Sequence, residues 1–515
     1  MTGDKSLKYM LLALALALTC TLVGSYPLSG ADGGGGRKAR GRVLRVALVG
    51  DPQVDDSTEM GYARRSVYRE LRGRRDLDMC IFLGDLVNDN MSLLPESVGV
   101  VDSLPYQCFM VPGNHDRDVY RGPKSSMYRQ RDLSTWRKVV GYVDTSFVRG
   151  NVRFVLMNNV RHSDSGMTDY VGGFTDRQKH WLDSVLNRGV GETRGRKPSR
   201  VCGTPTLTIL ATHIPFSQMK GRDSVRALIP DISRLLFVSG HTHFVSRDDS
   251  LRELIVGAAC GSWWRGVKDS DGIPYALQSC GAPRGYFVAD IHRNGTYDLT
   301  YKCIGRPASD RLSVWAVPND STGRSYRLYI NVFGGSSDGI VRISGLGRRN
   351  CACERSQMAA PEVEHVIRLN ASQSRDYRKA HRDEFIPLRR KPSPHLWQTT
   401  DLISSPLPAH VNVRYRDPHM SIRQRVPISV YVDDTGRVIR NRPCGQLFRS
   451  RPADALIGQV ISSVKMNVGL RRKPSPHLWQ TVDLIPGSLP AYVNVIYRDA
   501  HMRIRQRVQM SYVQE

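Results

Sequence analysis

From about residue 43 the chain alternates short apolar runs with helix-length amphipathic stretches. "VLRVALV" (43–49), "MCIFL" (79–83), "YQCFMV" (106–111), "VRFVLMN" (152–158), "LTILAT" (207–212) and "RLLFVS" (234–239) are rich in β-branched residues and leucine, and turn residues bound them. Such continuous runs predict buried strands. Between them "EMGYARRSVYREL" (59–71) and "TDRQKHWLDSVLN" (175–187) predict helices, the second opened by Thr175 as cap. Together they predict an α/β layered domain over 43–305, closed by "RGYFVADI" and "GTYDLTYKCI".

Beyond about residue 310 the helical pattern fades. "SYRLYINVF", "HVNVRYRD" and "ISVYVDDTGRVIR" alternate with period two around turn signals, which predicts a β-rich domain over 306–515. This part holds an internal repeat. Residues 388–426 ("LRRKPSPHLWQTTDLI…") and 470–508 ("LRRKPSPHLWQTVDLI…") align without a gap and agree at about four positions in five. Such closeness points to a recent duplication of the terminal strands, one copy completing the β-domain and the other added to it. The sequence leaves open which copy does which.

At the other end, Lys5 and Lys8 precede "YMLLALALALTCTLVGS", which is short for a membrane span and has the layout of a secretory signal over 1–25. Cys20 offers a lipoprotein-type alternative, although Thr19 before it is a poor match. The expectation is an exported chain, periplasmic or secreted, with a lipid anchor as the variant. Residues 26–42 are a Gly-rich linker.

The 515 residues exceed one ordinary core, and 74 Lys+Arg against 48 Asp+Glu leave a formal charge of +26. The excess leans to the C-terminal part, where contact with an anionic membrane surface or glycan is expected. No motif with interleaved aromatics argues for specific nucleic-acid binding. Ten cysteines without a C-x-x-C pair leave disulfide connectivity open.

The chemistry sits at the strand ends. "GDPQ" (50–53), "GDLVND" (84–89), "GNHD" (113–116), "THIPF" (212–216) and "GHTH" (240–243) each follow a predicted strand. Loops at strand C-termini form the ligand crevice of open α/β sheets, so these segments can converge. Asp, Asn and His supply oxygen and imidazole ligands suited to divalent transition metals. Each piece alone is weak; the ordered set is specific. The glycine that opens four of the five groups is expected to let the backbone turn tightly beneath a metal.

This set resembles the pattern D-x-H, GD, GNH(D/E), H, GHxH of the calcineurin-like metallophosphoesterase superfamily, over about residues 43–260. The resemblance implies a two-layered β-sandwich flanked by helices and, as in secreted bacterial members, a following β-domain. It implies two divalent metals (Mn, Fe or Zn): Asp51, Gln53 and His243 on one, Asn114, His213 and His241 on the other, and Asp85 bridging both. His115 would face a phosphate-ester substrate as acid or electrostatic clamp, oriented by Asp116. A metal-activated hydroxide would then hydrolyse phosphate mono- or diesters. The departure is Gln53, where the family usually carries histidine, and it motivates the alternative of a phospho-ligand or anionic-surface binding protein with a decayed site. Trp263 and Trp264 are further candidates, for the substrate mouth or for closing the domain, and Arg265 is a candidate phosphate contact.

Overall fold

A computed structural model describes residues 42–430 apart from 122–128, 163–169, 188–204, 320–322 and the single positions 267, 270, 348, 349, 373, 381 and 387, with four short strands between 470 and 509. The expected signal and nearly all of the linker lie outside the described residues, as does most of "ISVYVDDTGRVIR".

The apolar runs are strands. In chain order these are β1 (Arg42–Val49), β2 (Met79–Phe82), β3 (Gln107–Met110), β4 (Thr145–Arg149), β5 (Val152–Leu156), β6 (Leu207–Ala211), β7 (Leu235–Ser239), β8 (Val245–Asp248), β9 (Glu253–Val256), β10 (Gly285–His292) and β11 (Tyr297–Cys303). They form two sheets, β11-β10-β1-β2-β3 and β8-β9-β7-β6-β5-β4. β1, β2 and β3 run parallel, as do β5, β6, β7 and β9, while the other strands join antiparallel. All the parallel strands therefore end on the same side of their sheet.

Side-chain alternation explains why the runs are apolar throughout. Val46, Leu48, Ile81 and Leu83 of the first sheet meet Phe154, Leu156, Ile209, Leu236 and Val238 of the second in a shared core. The opposite residues, Ala47, Val49, Cys80 and Phe82, pack on Met60, Val67, Tyr68 and Leu71 of a helix spanning 57–73, whose middle turn is π-helical. Behind the second sheet, Val155, Leu210 and Phe237 pack on Leu182 and Val185 of helix Asp176–Asn187. Both helices start on side-chain caps: Asp56 accepts from the Glu59 amide (2.8 Å), and Thr175 exchanges hydrogen bonds with Gln178.

The β-rich part is a barrel. Its strands are β12 (Leu312–Pro318), β13 (Ser325–Val332), β14 (Ile340–Ser344), β15 (Cys351–Arg355), β16 (Leu396–Thr399), β17 (Ile403–Ser404), β18 (His410–Arg416) and β19 (Ser421–Val430). The order β12-β19-β18-β14-β15-β16-β13 closes because β13 also pairs with β12, and β17 extends β13. Helix Pro361–Ser372 covers one side, setting Val363 and Val366 on Val317, Tyr329 and Leu396.

The two repeat copies part company. The first supplies β16, β17, β18 and most of β19. The second lies in a separate compact unit, Ile457–Glu515, as strands Leu470–Arg472, Trp479–Thr481, Tyr492–Arg498 and Arg503–Gln509. Its last hairpin keeps the register of the first, with Asn494 opposite Arg507 as Asn412 is opposite Arg425. Among the described residues the seven cysteines are free thiols, and no helix is long and apolar enough to cross a membrane.

Sandwich and barrel are tied by a buried ion pair. Arg247 on β8 reaches Asp417 beyond β18 at 2.6 Å, and both side chains are nearly inaccessible (2% and 0%). Asp417 also accepts from the His419 and Met420 amides, both at 2.7 Å. Burial alone would raise the Asp417 pKa, but Arg247 outweighs it and holds the carboxyl below its usual range. A depressed folded pKa stabilises above the ordinary carboxylate value, and that contribution is lost as pH falls through the folded value. Arg247→Met should lower stability by about 3–5 kcal/mol, because it strands a buried charge. Urea unfolding at neutral and acidic pH checks both points: the variant's deficit should shrink in acid. A deficit independent of pH would contradict this role of the pair.

Candidate metal centre

Five loops meet at the strand ends of the two sheets, and the backbone laces them together. The Asp51 amide donates to Gly84 O (3.2 Å), Gln53 to Asp85 O (2.9 Å), Asp89 to His115 O (3.2 Å), Gly240 to His213 O (3.1 Å) and Cys260 to Asp51 O (3.1 Å). Every expected site residue except His115, His241 and His243 is almost fully buried.

The backbone is strained where the ligands sit. Among the described residues seven non-glycine positions have positive φ, and six are here: Asp51 (47°), Gln53 (33°), Asp85 (50°), Asp89 (61°), His241 (71°) and His243 (49°). Such conformations are costly for residues bearing a Cβ and cluster at functional sites. The role expected of the glycines needs correction accordingly. The tight turning falls mostly on the ligands, and the glycines make room. A Cβ on Gly113 would stand 2.0 Å from Asp85 Oδ1, and one on Gly240 would stand 2.3 Å from Asp51 Oδ2.

His213 is the focus. Its Nδ1 lies 2.8 Å from Leu83 O and donates to it, which leaves Nε2 as the nitrogen that can ligate a metal once its proton is lost. Around Nε2 stand Asn114 Oδ1 (2.9 Å), His241 Nδ1 (3.1 Å) and Asp85 Oδ2 (3.3 Å). Adjacent ligand atoms of a four- or six-coordinate ion with bonds of 2.0–2.2 Å are roughly 2.9–3.6 Å apart. The observed separations fit that shell. Asp85, His213 and His241 offer one donor atom each, all within 4.8 Å of one another.

Beside this set, His243 directs Nδ1 at Gly261 O (2.8 Å) and Ser262 O (3.0 Å), leaving Nε2 3.7 Å from Asp51 Oδ1. The Asp51 carboxylate accepts from the His241 amide at 3.0 Å. Gln53 donates its side-chain amide to Asn88 Oδ1 (3.3 Å), while its Oε1 is buried without a hydrogen-bond partner. A buried carbonyl oxygen left unused costs about 1–3 kcal/mol, and coordination would relieve that cost.

The electrostatics favour positive charge. Burial raises the Asp51 pKa well above the usual carboxylate range, with Asp85 adding to it. At Asp85 burial acts in the same direction, but His213 and His115 reverse it and the pKa is lowered. Burial would lower the His213 pKa; Asp85 and Asp51 instead push it up to about 9. Burial, with His213 beside it, takes His241 down to about 3.

His115 stands apart from this cluster of donors. Its backbone amide donates to Asp85 Oδ1 (2.9 Å), and its imidazole Nδ1 lies 3.1 Å from Asp89 Oδ1. The expectation that Asp116 orients His115 needs correction. The Asp116 carboxylate accepts from the Leu86 (2.8 Å), Val87 (3.1 Å) and Gly113 (2.9 Å) amides and clamps two loops. Asp89, the last residue of "GDLVND", is the carboxylate within ion-pair distance of the imidazole, and only its place in that motif hinted at this. Trp264 is also structural: it is buried, and its indole N–H donates to Pro52 O (3.0 Å) and Gln53 O (3.1 Å). Trp263 is half-buried, with its ring 5.4 Å from that of His243. Arg265 is half-buried near Glu59, whose carboxyl burial pushes up to about 7.

A family model described as calcineurin-like phosphoesterase matches residues 44–245, which contain all five loops. A second, for the C-terminal domain of calcineurin-like phosphoesterase, matches 253–419. The chain belongs to the calcineurin-like phosphoesterase superfamily. The two matches cover most of the sandwich and seven of the barrel's eight strands; β19 and the second repeat copy lie beyond them. Comparison with curated proteins found no match. In a metal-dependent superfamily, the convergence on His213 and the unused Gln53 oxygen are features that a cation explains.

Gln53→Leu separates ligand from strut. Removing an unsatisfied buried oxygen should leave the metal-stripped chain as stable as its parent or more so, by up to about 1–3 kcal/mol. Metal retained through gel filtration should fall, as elemental analysis would read. Unchanged retention would mean that Gln53 is not a ligand.

Proposed function

We propose that the chain hydrolyses phosphate mono- or diesters at a centre of two divalent ions. Asp51, Gln53 and His243 would hold one, Asn114, His213 and His241 would hold the other, and Asp85 would serve both. The observation that carries this reading is the meeting of Asn114, His241 and Asp85 donor atoms within 3.3 Å of His213 Nε2. In the same reading the amino-terminal segment directs export.

Ions bound there would supply charge against the phosphoryl oxygens and make a water acidic enough to act as nucleophile. The chain's own residues do the rest. The Leu83, Gly261 and Ser262 carbonyls fix the rings of His213 and His243, so their Nε2 atoms face inward. His115 is a quarter exposed and can reach substrate. Burial works against its positive charge, but Asp85 and Asp89 prevail and raise its pKa. It can therefore donate a proton to the leaving oxygen, and Asp89 positions it. The half-buried rings of Trp263 and Tyr170, near His243 and His241, form part of the surrounding wall.

Chelated, metal-free chain should be inactive towards aryl phosphate mono- and diesters and recover with Mn²⁺. His115→Ala should keep its metal and lose about 10²–10⁴-fold in kcat. Asp89→Ala should lower kcat less, with metal content again unchanged. Activity surviving chelation, or metal lost together with His115, would overturn these assignments.

A further inference from the structure

The barrel's outer wall is not uniform. Where helix Pro361–Ser372 covers it, the wall is apolar. Across β14, β18 and β19 it carries a three-by-three grid of outward positions set by the strand register. The rows are Ile340–Arg416–Ser421, Arg342–Arg414–Arg423 and Ser344–Asn412–Arg425. Buried residues alternate with them, among them Val341, Ile343, Val413, Tyr415 and Ile422, so the grid faces outward as a block. With strands about 4.8 Å apart and side chains on one face repeating every 6.8 Å or so, it spans roughly 10 by 14 Å.

Five of the nine positions are arginine and none is acidic. Among the described residues none of the five arginine side chains has an ion-pair or hydrogen-bond partner. Glu354, an acid on the neighbouring strand β15, is held by Gln398 at 2.8 Å. Arg342, Arg414 and Arg423 stand directly opposite one another, an arrangement that destabilises a sheet. An open cleft of about 300 Å³ lies over this wall, lined by Ser344, Asn412, Arg414, Arg423, Gln424 and Arg425. At the grid's corner Ile340 is 62% exposed.

We propose that this wall docks on an anionic lipid bilayer. A two-dimensional array of unpaired cations matches a two-dimensional anionic surface. An exposed isoleucine among those cations gains from an apolar layer beneath the headgroups, which a linear polyanion such as DNA lacks. The wall has no aromatic residue on which a base could stack. The second repeat copy keeps the strand register and four arginines in its hairpin, pairing Arg498 with Arg503, Ile496 with Arg505 and Asn494 with Arg507.

The test is sedimentation of the full chain with vesicles of phosphatidylcholine alone or mixed with phosphatidylglycerol, at low and high salt. The chain should bind only the mixed vesicles, and salt should weaken binding. Arg414→Gln with Arg423→Gln should lower the partition coefficient about thirtyfold, roughly fivefold for each arginine. Relief of repulsion should leave the double variant's melting temperature equal or higher, and hydrolysis of a soluble aryl phosphate should be unchanged. Ile340→Ser should weaken binding to the mixed vesicles in high salt as well as low. Binding to heparin or duplex DNA without vesicle binding, or vesicle binding that the double variant retains in full, would overturn the proposal.

Discussion

Two buried carboxylates and a cluster of imidazoles cannot share a dry site without positive charge among them. Asp51 and Asp85 are almost inaccessible, and His213, His241 and Asn114 bring two ring nitrogens and a carbonyl oxygen into the same small volume. An isolated buried carboxylate is among the costliest groups a fold can hold. The surrounding structure serves to keep these groups from moving apart: backbone bonds from loop to loop, left-handed ligand residues, glycines that admit carboxylates, and Asp116 clamping two loops. A cation removes the repulsion that this framework resists, which links the fold to the chemistry of its superfamily.

Much of this was legible before any coordinates. Strands covered on both faces must be apolar throughout, so six runs marked six strands of the sandwich. The polar residues that follow them had to fall at strand ends, and in a parallel sheet those ends lie together. What the sequence left dark depends on loops meeting across the crevice. Asp89 and His115 belong to different motifs, and their pairing follows from one loop crossing another. Asp116 follows His115 directly, which suggested a partnership that the backbone does not make. The glycines were assigned to turning because φ cannot be read from sequence, whereas the close approach of a carboxylate fixes Gly113 and Gly240.

The barrel was legible as strands but not as a barrel. Period-two alternation marks a strand and its inner face without naming its neighbour, and closure rests on β12 pairing with β13. Near-identity of the two copies likewise hid their different fates, since the same residues can close a barrel or form a separate unit. The substitutions between copies are informative in retrospect. Arg414 corresponds to Ile496 and Ser421 to Arg503, so the charge is redistributed and not lost.

Anomalous X-ray diffraction from crystals grown with Mn²⁺, recorded on either side of the manganese edge, tests the central claim most directly. The account predicts two neighbouring peaks flanking the Asp85 carboxylate, one beside His213, His241 and Asn114, the other beside Asp51, His243 and the Gln53 oxygen. No peak at these residues, with the metal bound elsewhere or not at all, would contradict it.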